Sequence, residues 1–272
     1  MLPPGTSLPP RSAASPGRVA PIPIESGASA TADPPRAPAR TIAVIPARAA
    51  SQRLPEKPLR LLAGVPMIVR VLDAVRGTGL FDAVHVATDD PRIAAVVRAA
   101  GGHAIEVTEP CASGTERVAR AVARLPEPPT YVLNVQGDEP FVDATSLAAL
   151  IQALADGAPI ATCAAPLPPE KLNEISAVKV VCDAFGRALY FSRAPIPGRL
   201  HLGLYGFTPE ALAAVAFLPR GPLARAEDLE QLAWLEAGWP IAVAPGATRG
   251  PSIDTPADLA AAETLLTSEN AP

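Results

Sequence analysis

The chain, 272 residues long, is predicted to be an α/β protein with a mostly parallel, doubly wound sheet. Three observations predict it. Short apolar runs at 42–45, 83–87 and 131–135 each stop at a turn-forming or polar stretch. Segments between them repeat apolar residues at helical spacing. Glycine and proline punctuate the boundaries. Runs of this length and composition suit buried parallel strands, and regular strand–helix alternation suits helices packed on both faces of the sheet.

The first strand, Ile42-Ala43-Val44-Ile45, ends at Pro46 and opens a loop carrying Arg48, Arg53 and Lys57. A helix follows over 66–77, with Met67, Ile68, Val71, Leu72 and Val75 on one stripe, proline at its start and glycine at its end. Strand 83–87 halts at Thr88-Asp89-Asp90, and Pro91 starts a helix that Gly101-Gly102 ends. Residues 103–107 form a strand, 115–125 a helix on Val118, Val122 and Leu125, 131–135 a strand, and 144–154 a helix. Past Ile160 the pattern changes. Segments 178–183 and 187–192 flank Ala184-Phe185-Gly186 as a hairpin, 201–207 is a strand, and helices are expected at 209–217 and 226–237. The first half reads as a nucleotide side and the second as a lid or substrate side.

Hydrophobic content of 49% with 18% charged residues suits a globular enzyme, and one large domain or two small ones fit the length. A net charge of −4 argues against nucleic-acid binding. Cys111, Cys163 and Cys182 are scattered without a Cys-x-x-Cys pair, which suits a reducing, cytoplasmic setting and offers no zinc site. No apolar run approaches the ~20 residues that span a bilayer, so no membrane association is expected. Residues 1–40 are dense in Pro, Ala, Ser and Gly, lack aromatics, and are expected to form a disordered tail without a secretory signal. The domain plan is therefore a tail at 1–40, a folded domain at 41–267 and a short tail at 268–272.

Loops beyond the carboxyl ends of parallel strands are where ligands bind in open α/β sheets. Three cations among small residues after the first strand suit a polyphosphate, which backbone amides and Arg or Lys recognise together; a solvated basic loop is the plainer alternative. The chain has only three lysines, and Lys57 is one of them. Asp138, in Gln136-Gly137-Asp138-Glu139-Pro140, and Asp254, in Ser252-Ile253-Asp254-Thr255-Pro256, are candidate magnesium ligands, since Mg²⁺ takes one or two carboxylates alongside phosphate oxygens. Asp254 also fits a helix N-cap, and both readings stand at this point. No Gly-x-Gly-x-x-Gly follows the first strand and no Gly-Lys pair exists, which disfavours a dehydrogenase and a P-loop enzyme.

The ordered set IPAR, RLP-x-KPL, ATDD, SGTER, NVQGDEP, AVKVV, LYFSRAPIP, LGLYGF, LEQL and IDTP, over about 42–266, resembles the CMP-Kdo synthetases, the 3-deoxy-manno-octulosonate cytidylyltransferases. VQGDEP with SGTER and LYFSR in this order is the specific part. IPAR with RLP-x-KP alone marks only the broader sugar nucleotidyltransferases. The resemblance implies a Rossmann-like sugar nucleotidyltransferase fold with a β-hairpin and helix excursion for sugar binding and dimer contact. It implies Mg²⁺-dependent transfer of CMP from CTP to 3-deoxy-manno-octulosonate (Kdo), releasing pyrophosphate, as a step of lipopolysaccharide synthesis by a homodimer.

By the same resemblance Arg48, Arg53 and Lys57 hold the triphosphate with Ser51, and Arg48, Lys57 and Asp138 are the catalytic set. Ala87, Thr88 and Asp89 with Ser113, Gly114, Thr115 and Arg117 lie along base and ribose, and Gln136 and Gly137 belong to the substrate site. Asp138 and Asp254 hold magnesium. His201, Tyr205, Glu230 and Gln231 line the sugar pocket; on their own residues, the first two could simply pack and the last two could be solvated. No dedicated general base is apparent. Three positions depart from the family pattern: Leu200 where arginine commonly precedes the histidine, Ala224 where Pro-Leu-Glu is usual, and Ala233 where arginine often follows LEQL. The connection from Ser192 to His201 is also short. The nucleotide motifs are intact, so these changes bear on which acidic sugar is used, an 8-amino Kdo analogue or a nonulosonate being the alternatives. A catalytically silent nucleotide-binding protein is the remaining alternative.

Overall fold

The structure is a computed structural model, and it describes residues 39–50, 54–248, 250 and 252–269. The composition-based tail therefore lies outside the described residues except at its end, where Arg40 is tied to the domain. Its amide donates to Thr130 Oγ1 at 3.1 Å, its side chain donates to the Glu127 carbonyl, and its own carbonyl accepts from Thr130 N at 2.7 Å.

Strand β1 (Thr41–Ala47) is followed by a 3₁₀ turn (Lys57–Leu59), a tight pair β2 (Leu61–Leu62) and β3 (Val65–Pro66), and helix α1 (Met67–Gly77). Then come β4 (Ala83–Thr88), α2 (Pro91–Ala99), β5 (His103–Glu106), α3 (Gly114–Val122), β6 (Tyr131–Asn134), α4 (Ala144–Ala155) and β7 (Ile160–Ala165). The second half holds β8 (Lys179–Cys182), β9 (Ala188–Ser192), β10 (Arg199–Phe207), α5 (Pro209–Val215), α6 (Pro222–Glu227), α7 (Glu230–Glu236), β11 (Ile241–Pro245) and α8 (Pro256–Glu269). The single helix expected at 226–237 is two helices. Asp228 takes φ 52°, a left-handed conformation Asp tolerates better than most residues, and Leu229 after it is extended.

The main sheet runs β11-β7-β10-β6-β1-β4-β5, with β8 on β10 and β9 on β8. β1 pairs in parallel with both β4 and β6, β4 with β5, and β7 with β11; β10 runs against β6 and β7, and the β10–β8 and β8–β9 pairs are antiparallel too. The chain leaves β1 toward β4 on one side and later returns to β6 on the other. That reversal opens a crevice beyond the carboxyl ends of β1 and β6, where open α/β sheets take their ligands.

Alternation along each strand splits the core between two faces. Ile42 and Val44 join Val118, Val132, Phe191, Phe207 and Trp234 on the face of α3, α5 and α7. Ala43 and Ile45 join Ile68, Leu72, Val86, Leu133 and Leu150 on the face of α1, α2 and α4. A third cluster of Leu54, Leu62, Met67, Ile253 and Ala262 seats the 3₁₀ turn beside the segment before α8. That small core places Lys57 and Asp254 together, although 197 residues separate them.

Candidate active site

At the crevice, the turn after β6 presses against the loop after β1. A Cβ on Gly137 would lie 2.9 Å from the Pro46 carbonyl oxygen, so any larger residue there would push Asp138 away. The Asp138 carbonyl accepts from Ile253 N at 2.9 Å, which ties the β6 loop to the segment before α8. Both aspartates then face one ammonium. Lys57 Nζ lies 2.6 Å from Asp138 Oδ2 and 2.9 Å from Asp254 Oδ1. Burial pulls the Lys57 pKa down, but the two carboxylates outweigh it and hold the lysine above its ordinary value, fully charged.

The capping alternative for Asp254 resolves here. Thr255 Oγ1 accepts from Asp258 N at 3.2 Å, and Asp258 Oδ2 accepts from Thr255 N at 2.8 Å, a reciprocal capping box at the start of α8. Asp258 also accepts from Asp254 N. The cap is Thr255, and the Asp254 carboxylate faces Lys57. Glu139 is a carboxyl that sequence reasoning did not single out. Burial, together with the charges of Asp138 and Asp254, pushes its pKa up to about 7. Its signal was the second acid of the Asp-Glu pair after Gly137.

Arg48 is exposed on the loop following β1. Ser51 and Arg53 lie outside the described residues. Ala87 and Thr88 are fully buried at the end of β4, and Thr88 Oγ1 accepts from Asp90 N. Arg117 is turned inward, donating to the Val107 carbonyl at 3.1 Å and to Asp89 at 2.7 Å. This buried arginine fixes the Asp89 loop against α3. Ser113 caps α3 by accepting from Glu116 N, while Glu116 reaches back to Ala112 N at 2.7 Å. Gly114 sits beside Pro46 and Gln136, so the α3 N-terminus adjoins the β1 and β6 loops.

The residues expected to line the sugar pocket come from the opposite half. Tyr205 of β10 pairs with Asn134 at the end of β6. Tyr205 stacks near His201 (5.4 Å) and edge-on to Trp234 (5.0 Å), and His201 lies 5.0 Å from Phe191. Burial pushes the Tyr205 hydroxyl well above its usual range, with the Glu230 charge adding to it. A chain of polar bonds joins this half to the β6 loop and α3: Gln136 Nε2 to Asn134 Oδ1, Asn134 Nδ2 to Thr115 Oγ1, and Thr115 Oγ1 to Glu230 Oε1 at 2.8 Å. Burial raises the Glu230 carboxyl against the opposing hydroxyls of Ser113 and Thr115. Gln231 is buried next to it. The departures Ala224 and Ala233 are buried in the core, and Leu200 packs against the opposite-face cluster, so all three are apolar residues in apolar surroundings.

Comparison with known proteins agrees with this architecture. The family described as Cytidylyltransferase matches residues 42–241. A 3-deoxy-manno-octulosonate cytidylyltransferase of Anaeromyxobacter sp. (strain Fw109-5) is 48% identical over 84% of this chain and 97% of that protein. One of Myxococcus xanthus (strain DK1622) is 41% identical over 84% and 96%. A solved CMP:2-keto-3-deoxy-manno-octonic acid synthetase complexed with CTP superposes with TM-score 0.80 at 36% identity, covering 85% of this chain and 99% of that one. The chain belongs to the cytidylyltransferase family, on its 3-deoxy-manno-octulosonate branch.

Proposed function

We propose that this protein activates Kdo with CTP, giving CMP-Kdo and pyrophosphate. The observation that carries the reading is the Lys57 ammonium gripped by Asp138 and Asp254 at the crevice beyond β1 and β6. The anomeric hydroxyl oxygen of the sugar attacks the α-phosphorus, the bond to the bridging oxygen breaks, and pyrophosphate leaves with the electron pair. Such a transfer asks for positioning and charge neutralisation more than for covalent help. Lys57, and Arg48 on the adjoining loop, supply positive charge to the triphosphate. Tight contact at Gly137 and the α3 N-terminus beside Pro46 shape the floor on which the nucleotide rests. His201, Tyr205, Glu230 and Gln231 orient the sugar.

Mg²⁺ fits the donor set. Two carboxylates from separate loops already meet at one cation, which suits an ion that completes its shell with phosphate oxygens and water. Asp138 and Asp254 would hold it, and when bound it would neutralise developing phosphate charge. The active form is proposed to be a homodimer in the cytoplasm. The excursion supports this, because Phe185, Leu189 and Ile175 expose apolar surface on and beside the β8–β9 hairpin. No described helix is long and apolar enough to cross a membrane.

The test is pyrophosphate release by purified protein with CTP against UTP, ATP and GTP, over a panel of acidic sugars, with and without EDTA. Turnover is expected with CTP, Kdo and Mg²⁺ together. Equal use of UTP, or activity after chelation, would refute the assignment. Preference for an 8-amino sugar would replace Kdo as the acceptor and leave the cytidylyl transfer standing.

A further inference from the structure

We infer that Thr162, a fully buried residue of β7, is a positioning residue that fixes the tautomer of His201 and turns that ring into a hydrogen-bond acceptor for the sugar. The inference deepens the proposed function, since it takes the His201 pocket as the sugar side.

The geometry begins with a break in the sheet. β10 pairs with β7 as Leu202 with Cys163 and then Tyr205 with Thr162, so Gly203 and Leu204 have no partners on β7. Such an irregularity re-aims side chains beside a ligand site and leaves backbone groups outside the ladder. One of these is the Leu204 carbonyl, and Thr162 Oγ1 satisfies it at 2.7 Å. A carbonyl only accepts, so the single hydroxyl proton of Thr162 is committed there. The same oxygen lies 2.9 Å from His201 Nε2. With its proton already used, Thr162 can only accept from the ring. His201 Nε2 therefore carries the hydrogen, and in the neutral imidazole Nδ1 keeps the lone pair. The ring sits among Phe191, Tyr205 and Thr162, surroundings that favour its neutral form. No described residue bonds Nδ1, which leaves it to accept from a hydroxyl of the bound sugar.

Thr162 thus translates a backbone irregularity into a recognition preference. A valine of nearly the same shape would keep the packing but release the tautomer. A serine would keep both bonds.

The chain has three histidines, so long-range ¹H–¹⁵N spectra of the labelled full-length protein are readable, with H85Q and H103Q variants identifying the His201 signals. The native protein should show a protonated Nε2 and an unprotonated Nδ1 for His201. Thr162→Val should move the ring toward the other tautomer and raise the sugar KM by roughly three- to tenfold, the size of one neutral hydrogen bond. The CTP KM and kcat should stay within about twofold, because such a bond is worth only about a factor of ten at most and serves sugar binding alone. Thr162→Ser should match the native protein in both readouts. A native spectrum with the proton on Nδ1 overturns the inference. So does a Thr162→Val protein with native tautomer, or one whose KM values for CTP and sugar rise together. The spectra need no substrate, so failure of the sugar assignment in turnover assays is read separately from failure of the tautomer assignment.

Discussion

The two halves of this molecule solve different problems with different materials. The half proposed to take the nucleotide is a run of parallel strands, β6-β1-β4-β5, ending in short loops where charge is displayed: Arg48, Lys57, Asp89 and Asp138. The other half, proposed to take the sugar, is built around one reversed strand, β10, and sets polar side chains against one another: His201 on Thr162, Glu230 on Thr115. Charge neutralises a triphosphate whichever base it carries. A polar network with one group left open for the ligand discriminates one hydroxyl pattern from another, because a mismatched ligand leaves that group unsatisfied. The halves meet at Asn134, which pairs with Tyr205 and bonds Thr115.

The sharpest way to break this comparison is to remove charge from the first half. Asp138→Asn and Asp254→Asn should each lower pyrophosphate release by about a hundredfold or more, the scale of losing one preorganised electrostatic contact. Both proteins should melt near the native temperature. Since Thr255 caps α8, Asp254→Ala should melt near Asp254→Asn and be equally inactive. An Asp254→Asn enzyme with nearly full activity at ordinary Mg²⁺ would remove Asp254 from the catalytic charge set.

The second half should respond in stability as well. Thr115→Val breaks the chain at its centre and leaves Glu230 and Asn134 short of a partner. A buried polar group left unpaired costs about 1–3 kcal/mol, so urea denaturation should show a loss of that order with an unchanged slope. A midpoint equal to the native one would mean that the two halves are not joined through Thr115.

The same contrast explains what could be read from the sequence. Strands β1, β4 and β6 and their loops follow from local runs such as Ile42–Ile45 and from Gly137, where one residue's size decides the geometry. The meeting of Lys57, Asp138 and Asp254 depends on Leu62, Met67 and Ile253 packing across the chain, which no local pattern reveals. Position 254 invited a capping role because its hydroxyl neighbour and the acid at 258 are equally good at it. The break at Asp228 leaves no mark in the sequence, because 226–237 keeps helical apolar spacing straight through it. β7 and β11 are short runs rich in alanine, Ile160–Ala165 and Ile241–Pro245, without a strong apolar alternation of their own, and it is their mutual pairing that defines the sheet's far edge.

A smaller effect is expected in acid. Burial holds the His201 pKa down to about 3, against an ordinary value of 6.5. The unfolded chain therefore binds a proton that the folded one refuses, and stability contributed above pH 6.5 is lost as the pH falls toward 3. By pH 5.5 the loss from this residue should be on the order of 1 kcal/mol. His201→Gln should flatten that part of the stability–pH curve, measured by urea midpoints from pH 7 to 5. An identical slope in the variant would assign the acid sensitivity elsewhere, the half-buried His85, whose pKa burial and the neighbouring His103 also lower, being the other candidate.

The smallest effect concerns where the domain begins. Its composition gives the segment before Arg40 little means of packing, so removing residues 1–37 should leave activity and melting temperature unchanged. Removing 1–40 is a different experiment. Arg40 lies just before β1, and its backbone and side chain bond Thr130, Tyr131 and Glu127, fixing the approach to β6. Those bonds sit at the amino ends of the strands, far from the crevice at their carboxyl ends. The longer deletion should therefore cost about 1 kcal/mol of stability and leave KM for CTP and for the sugar at their native values. A truncation at 37 that lowers turnover would show that the tail docks on the domain. A truncation at 40 that raises either KM would show that strain at the amino edge of β1 reaches its other end, and the separation of scaffold from site along this strand would have to be abandoned.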